Sequence, residues 1–187
     1  MDRFMKSETT AIHDLVVVIN DTHTDPRGMF SRLYCNDILK EYLGSRQIVQ
    51  INHSITYNTG TIRGLHYQKP PHDEMKLVRC IKGKVWDVTV DLRKGSPTFL
   101  KWHAEELSPD NMRMMIIPEG CAHGFQVLKK NSELIYLHTT PYTPSAEAGI
   151  RPNDPMLEIS WPLPIKDLSD RDRNHPLLTE NFNGIDI

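Results

Sequence analysis

Cysteine is scarce in this chain, and what there is does not pair. Three cysteines, Cys35, Cys80 and Cys121, occur in 187 residues. None lies in a C-x-x-C pair, and an odd number makes no disulfide framework, so they read as reduced thiols packed as small hydrophobes. No apolar run approaches the ~20 residues of a membrane-spanning helix, and no membrane partner is expected. A basic excess is also missing: 22 Lys and Arg stand against 24 Asp and Glu, a formal net charge of −2. That argues against a general nucleic-acid binder, which needs positive charge to displace counterions from phosphates. It leaves room for a local basic pocket around one phosphorylated ligand. The first residues, 1–8, lack the charged-then-apolar pattern of a signal peptide, and a cytoplasmic location is the expectation. There is no internal repeat, low-complexity tract or linker.

What is present fits a single domain over residues 1–187, long enough to bury a sizeable core. Hydrophobic content is 39% and charged content 25%, as in soluble globular proteins. Residues 1–12 read as a loose lead-in. Leu15-Val-Val-Val-Ile19 is a β-branched run that predicts a strand, and residues 21–28 are dense in turn formers. Asn36 is a candidate cap for a two-turn helix that Gly44 stops. From Arg46 to Tyr142 the pattern is β. Strands are predicted at 47–56, 61–68, 75–82, 84–93, 99–107, 112–117, 123–129 and 132–140, with turns that include Lys82-Gly83-Lys84 and Lys130-Asn131-Ser132. Trp86, Val88, Val90 and Leu92 alternate with Asp87, Thr89 and Asp91, a clean period of two. Short strands at this spacing imply an all-β sandwich or barrel with a few short helices. The proline-bearing tail from Trp161 reads as irregular, with one helical turn near Leu168–Arg173.

The chemistry concentrates in Gly60-Thr-Ile-Arg-Gly-Leu-His-Tyr-Gln68. This mixture is poor for a core and suited to a strand that presents groups from a rigid wall. His66 is either a wall residue satisfied by its neighbours or the base of an active site, with Arg63 as anion clamp. By strand parity Arg63 and His66 point opposite ways, and a bulge at Gly64 would bring them together. Gly60 followed by His66 resembles the first half of the cupin metal motif, but the second histidine of that motif is here Gln68, a poor transition-metal ligand. Pro118-Glu-Gly-Cys-Ala-His123 keeps the second half. Even with Glu74 as a third ligand the set is weak, and no metal is expected. Lys76 is an edge charge or a pocket cation. Tyr136, on one face with Leu134 and His138, is a packing residue or a general acid. Asp170-Arg-Asp-Arg173 is a solvated charge run, or a segment that folds back so that a carboxylate orients His66.

These segments, with Lys76-Leu-Val-Arg79, Asp87-Val-Thr-Val-Asp-Leu-Arg93, Ser96-Pro-Thr-Phe99, Ile117-Pro-Glu-Gly-Cys-Ala-His-Gly-Phe125 and Asn153-Asp-Pro155, occur in one order. The chain resembles the dTDP-4-dehydrorhamnose 3,5-epimerase family from about Ile19 to Asp172. The resemblance implies a cupin-like jelly roll, a homodimer, a nucleotide-diphosphate sugar substrate, and an isomerase reaction that uses no metal or other cofactor. It gives His66 the role of base, Asp172 that of its partner and Tyr136 that of general acid. Lys76 and Arg63 match cations near the ketone and the diphosphate. Gln50, Asn52, His123, Glu147 and Arg171 match further substrate contacts, and Tyr142 an aromatic near the base or sugar. Arg27 and Phe30 match a loop that reaches the nucleotide across the dimer. Two positions depart: Arg32 stands where many members carry a glutamate beside the nucleotide, and Pro152 where many carry a tryptophan.

The residue types suit that reaction on their own terms. A proton on carbon beside a C4 ketone is acidified by delocalisation onto oxygen, and histidine has the right pKa range to remove it. The first expectation is inversion at both C3 and C5, converting dTDP-4-dehydro-6-deoxyglucose to dTDP-4-dehydrorhamnose. The alternatives are epimerisation at one carbon or of another NDP-4-ketosugar, a non-catalytic cupin sugar-binding protein, and a metal-dependent cupin enzyme, which Gln68 disfavours.

Overall fold

Two long strands carry the architecture, and both run straight through places where the sequence reads as turns. The computed structural model describes residues 5–187. Strand β7 spans Lys76–Asp91 and β10 spans Cys121–His138; they pair antiparallel along nearly their whole length. The pairing register shifts between Val127 and Leu134, opposite residues 80–85. This is the corner of the fold. Lys82-Gly-Lys84 and Lys130-Asn-Ser132 do not end strands here; they let continuous strands pass from one sheet to the other.

The remaining strands are β1 (Met5–Thr9), β2 (Val16–Asn20), β3 (Thr22–Asp25), β4 (Gly28–Ser31), β5 (Gln50–Thr56), β6 (Ile62–Gln68), β8 (Trp102–Leu107), β9 (Arg113–Ile117) and β11 (Glu147–Gly149). On one side of the corner the order is β1-β2-β9-β7-β10-β5, and on the other β8-β7-β10-β6-β11. Every pairing between these strands is antiparallel. The result is the all-β sandwich that the strand pattern implied, in the jelly-roll form that the resemblance implied. Residues 5–9, read as a lead-in, form β1 on the edge beside β2; residues 1–4 of that lead-in lie outside the described residues.

Alternation along the strands sorts the core into layers. Val17, Val78 and Met115 fall in the cluster between the sheets with Phe125, Val127 and Leu134. Their neighbours Val18, Leu77, Met114 and Ile116 face the opposite way and pack under helix α1 (Asn36–Leu43) through Leu39 and Leu43. Val88, Val90 and Leu92 pack with Leu65, Ile150 and the later segment around Trp161 and Phe182. The alternation from Trp86 to Leu92 therefore holds, and its polar side is buried too: Asp87, Thr89 and Asp91 have no exposed surface. Gly44 closes α1 by donating its N–H to Lys40 O. Asn36 is inside the helix, not its cap; its side-chain oxygen accepts from the Tyr34 hydroxyl at 3.2 Å, and Cys35 takes the cap position without a side-chain bond.

After β11 the chain wraps back across the second sheet. Trp161 Nε1 donates to Pro152 O at 2.7 Å, and the Gln126 amide exchanges two bonds with the Leu163 backbone. Ser169 then caps the short helix α2 (Asp170–Asn174), its hydroxyl accepting from Asp172 N at 3.0 Å. This places the run Asp170–Arg173 against β6 as a short helix.

Candidate active site

A cavity of about 1070 Å³ opens between the sheets. Its walls include Asn52 and Ser54 of β5, Arg63 and His66 of β6, Lys76 of β7, His123 and Tyr136 of β10, and Arg171 and Asp172 of α2.

The wall on β6 depends on a bulge. His66 lies opposite His123, but Arg63 lies opposite Phe125: three steps on β6 face two on β10. The extra residue cancels the parity that separates Arg63 from His66, and both line the cavity while Leu65 goes into the core. Gly64 makes this possible. Its φ is +118°, and a Cβ there would lie 2.6 Å from Gly124 Cα and 2.7 Å from His123 O. The two backbones touch where any side chain would part them.

Asp172 secures both the bulge and the histidine. Its Oδ1 lies 2.6 Å from His66 Nε2, and its Oδ2 accepts from Gly64 N at 3.3 Å. Burial works to raise this carboxyl, but the bond and charge of His66 and the Gly64 and Ser169 bonds outweigh it and hold it below its ordinary value. An ionised Asp172 fixes the proton on His66 Nε2 and leaves Nδ1 with a lone pair. A second pair, His123 Nε2 to Asp87 Oδ1 at 2.9 Å, lies deeper. The His66 side chain is 22% exposed and that of His123 6%, so His66 is the more accessible base.

Tyr136 projects from β10 with its hydroxyl 3.0 Å from Ser54 Oγ, and burial pushes its phenol well above its usual range. It therefore carries its proton at neutral pH. Its ring meets those of His123 and His138, each at 6.2 Å. Lys76 Nζ lies 3.0 Å from Glu74 Oε1, and Glu74 Oε2 lies 2.7 Å from His138 Nδ1. Burial tends to raise Glu74, but these partners hold it below its ordinary value. The chain of bonds continues from His138 Nε2 to Asn52 at 3.2 Å, from Gln50 Nε2 to Asn52 Oδ1 at 3.1 Å, and from Tyr142 N to Gln50 Oε1 at 3.0 Å. Tyr142 OH donates to Glu147 at 2.8 Å, and Arg171 Nη1 donates to both Glu147 oxygens at 2.8 Å. Arg63 donates from Nε to Thr56 Oγ1 at 2.9 Å, and no carboxylate pairs with it among the described residues. It is the cavity's uncompensated cation.

The structure thus gathers His66, Asp172, Tyr136, Lys76, Arg63, Asn52, His123, Tyr142, Glu147 and Arg171 around one cavity, with Gln50 bonded at its rim. Arg27 and Phe30 are not among its walls. They sit on the separate β3–β4 hairpin, where Arg27 pairs with Asp25 and Phe30 is 66% exposed. Sequence reasoning missed the roles of Glu74, His138, Asp87 and Ser54 in holding the site. His138 had a signal, since it shares a face with Tyr136. His175 had none. It follows α2, its ring meets His66 edge-on at 5.6 Å, and its Nε2 lies 3.8 Å from Asp172 Oδ1. The metal-ligand candidates of the cupin motif are otherwise engaged: Gln68 spends its amide on the backbone of His72, Pro141 and Thr143, His123 is bonded to Asp87, and Glu74 to Lys76 and His138.

A jelly roll whose cavity holds a histidine–carboxylate pair, a protonated phenol and a lysine is a cupin-type scaffold equipped for proton transfer at carbon, the class of the cupin-fold sugar epimerases. The particular family follows from comparison: the family model described as dTDP-4-dehydrorhamnose 3,5-epimerase matches residues 9–180, and the chain belongs to that family. The dTDP-4-dehydrorhamnose 3,5-epimerase of Shigella flexneri is 42% identical over 166 residues, covering 88% of this chain and 91% of its own. The dTDP-6-deoxy-D-glucose-3,5-epimerase of Legionella pneumophila, solved with dTDP-4-keto-L-rhamnose, superposes with a TM-score of 0.87 at 39% identity, covering 92% of each chain. A 3'-monoepimerase from Streptomyces bikiniensis, solved with dTDP-quinovose, gives 0.84 at 30% identity, covering 90% of this chain and 85% of its own.

Proposed function

We propose that the protein inverts C3 and C5 of dTDP-4-dehydro-6-deoxyglucose to give dTDP-4-dehydrorhamnose. The observation that carries this reading is the pairing of an Asp172-bound His66 with a neutral Tyr136 in the walls of one cavity. His66 Nδ1 takes the proton from the carbon beside the ketone. The electron pair moves onto the C4 oxygen, where Lys76 stabilises the enolate, a contribution of ~3–4 kcal/mol for one good donor in a dry site. Tyr136 returns a proton to the opposite face, its phenolate is held by the Ser54 hydroxyl until solvent reprotonates it, and His66 releases the abstracted proton to solvent. The cavity exceeds what a bare hexose needs and suits a nucleotide sugar, and Arg63 and Arg171 in its lining would be the partners of the diphosphate.

Residues 1–187 act as a single domain, and the enzyme works as a homodimer. The outward face of β5 supports this: Ile51 and Ile55, with the flanking Val49 and Tyr57, are exposed on one strand. A second copy there would also give Arg27 and Phe30 on their exposed hairpin a nucleotide to reach. The free thiols fit a reducing cytoplasm.

Incubation with dTDP-4-dehydro-6-deoxyglucose in heavy water, read by mass spectrometry and NMR, tests the reading. Deuterium at C3 and C5 with inverted product is expected, and none with His66→Ala. Deuterium at one carbon moves the protein to the mono-epimerases, a reading that the similarity to the Streptomyces bikiniensis 3'-monoepimerase keeps in view. No incorporation points to another nucleotide sugar, with Arg32 the first position to vary, or to a non-catalytic sugar-binding role.

A further inference from the structure

We infer that His66, Asp172 and His175 form a binding site for a divalent transition-metal ion of the zinc type. The expectation that such an ion inhibits rests on the reading of His66 as base. One ligand atom from each residue, two imidazole nitrogens and a carboxylate oxygen, lies within 4.8 Å of the others. Two edges of this triangle are 2.6 Å, His66 Nε2 to Asp172 Oδ1, and 3.8 Å, His175 Nε2 to the same oxygen. A tetrahedral ion with ligands at about 2.0–2.1 Å wants edges of roughly 3.3–3.4 Å. Binding would open the first edge and close the second by less than about 1 Å each, and would bring the two imidazole nitrogens, within 4.8 Å of each other, to the same spacing. The donor set suits zinc, cobalt or nickel and does not suit magnesium or calcium, which take oxygen.

Three features make this more than a chance cluster. His175 Nε2 is buried with no hydrogen-bond partner, an unsatisfied atom that a metal bond would satisfy. The ring stands where residue 149 has no side chain: a Cβ on Gly149 would lie 2.4 Å from His175 Nε2, and Gly149 is the cross-strand partner of His66. The backbone is also fixed, since Arg151 Nε donates to His175 O at 2.5 Å. Arg171 reaches the same atoms, its Nη2 3.4 Å from His66 Nε2 and its Nε 3.7 Å from Asp172 Oδ1, so an ion would displace this guanidinium toward Glu147, which it already binds at 2.8 Å; Asp172 and Glu147 against one arginine leave the surroundings net negative. His66 and Asp172 line the cavity, which leaves room for water as the fourth ligand.

Binding through Nε2 requires the other tautomer of the neutral ring: the proton moves from Nε2 through solvent to Nδ1, and Nε2 gives its lone pair to the metal. Nδ1 then carries a proton and cannot accept one from the substrate.

Titration calorimetry with zinc chloride and the visible absorption of the cobalt(II) form test the site on purified wild-type protein and His175→Ala. One ion per chain and a tetrahedral cobalt spectrum are expected for wild type, with binding at least tenfold weaker in His175→Ala. Measured against each protein's own metal-free rate, that variant should need at least tenfold more zinc for inhibition. Zinc should raise the melting temperature of wild type more than that of the variant. Should His175→Ala melt lower from lost packing, His175→Gln, of similar size but without imidazole nitrogen, takes its place. Equal zinc affinity in wild type and a folded position-175 variant overturns the inference, as does a wild type that binds no ion. If the ion binds through His175 while deuterium exchange continues at the metal-free rate, the site stands and the assignment of His66 as base falls.

Discussion

Replacing Asp172 with asparagine removes one charge and little volume, and so isolates what the carboxylate does for His66. The carboxylate lies 2.6 Å from His66 Nε2 and is itself almost wholly buried, at 2% exposure. A hydrogen bond to a charged partner is worth ~1.5–3 kcal/mol, and this one is made with the imidazolium that forms on proton abstraction. At ~1.36 kcal/mol per tenfold in rate, the exchange rate should fall by roughly 10- to 150-fold in Asp172→Asn, with most of the loss in kcat. Asparagine can still accept from Nε2–H through its oxygen, so the ring orientation survives and substrate binding should change little. Solvent deuterium incorporation at C3 and C5 under single-turnover conditions reads the chemical step directly. His66→Ala/Asp172→Asn should be no slower than His66→Ala alone, because the carboxylate acts through the histidine. A loss below threefold in Asp172→Asn, or a further loss in the double variant, would refute the mechanism drawn from this geometry.

Three other outcomes are expected. Tyr136→Phe should slow net inversion by roughly 10²–10⁴-fold while deuterium exchange falls less, because the base remains; equal losses in both would remove Tyr136 from the acid role. Gly64→Ala forces a Cβ to within 2.6 Å of Gly124 Cα at a φ of +118°, so the melting temperature should drop with a cost of ~1–3 kcal/mol or more, and activity with it; an unchanged melting curve would show that the strands part without cost. Asp91, although buried, is held down to about 2 by bonds from Arg93, Ser96 and Thr98. A depressed carboxyl stabilises the fold above its ordinary value of 3.8 and loses that contribution as pH falls toward 2, so Asp91→Asn should flatten the acid-unfolding curve between about pH 4 and pH 2 by roughly 2 kcal/mol.

The parts of the site that were legible in the sequence are those with a short-range signature. Period-two alternation from Trp86 to Leu92 gave the strand and its two faces, and the glycine at 64 beside Arg63 flagged the bulge. Strand ends were read less well where tertiary pairing overrides a local turn signal. Gly83 and Asn131 look like turn residues, and they serve instead at a corner where two paired strands bend together. The cap of α1 failed for a similar reason, since Tyr34 engages Asn36 before its oxygen can turn to the helix. The Asp172–His66 bond spans 106 residues and His138–Glu74 spans 64. No local pattern encodes such distances. Asp172 was found through family resemblance, and His175, which has neither a pattern nor a resemblance to mark it, was not.

The order in which the chain emerges during synthesis now acquires a meaning. All strands of the jelly roll lie at or before Gly149, while Asp172 arrives on the segment that crosses back afterwards and is tied down by Trp161, Gln126 and the Ser169 cap. The strand carrying His66 is therefore made well before the carboxylate that orients it, yet its bulge and one face of its sheet are finished only by the return segment, through the Asp172–Gly64 bond and the packing of Trp161 and Phe182. The last stretch of chain to be made is thus the one that sets the histidine.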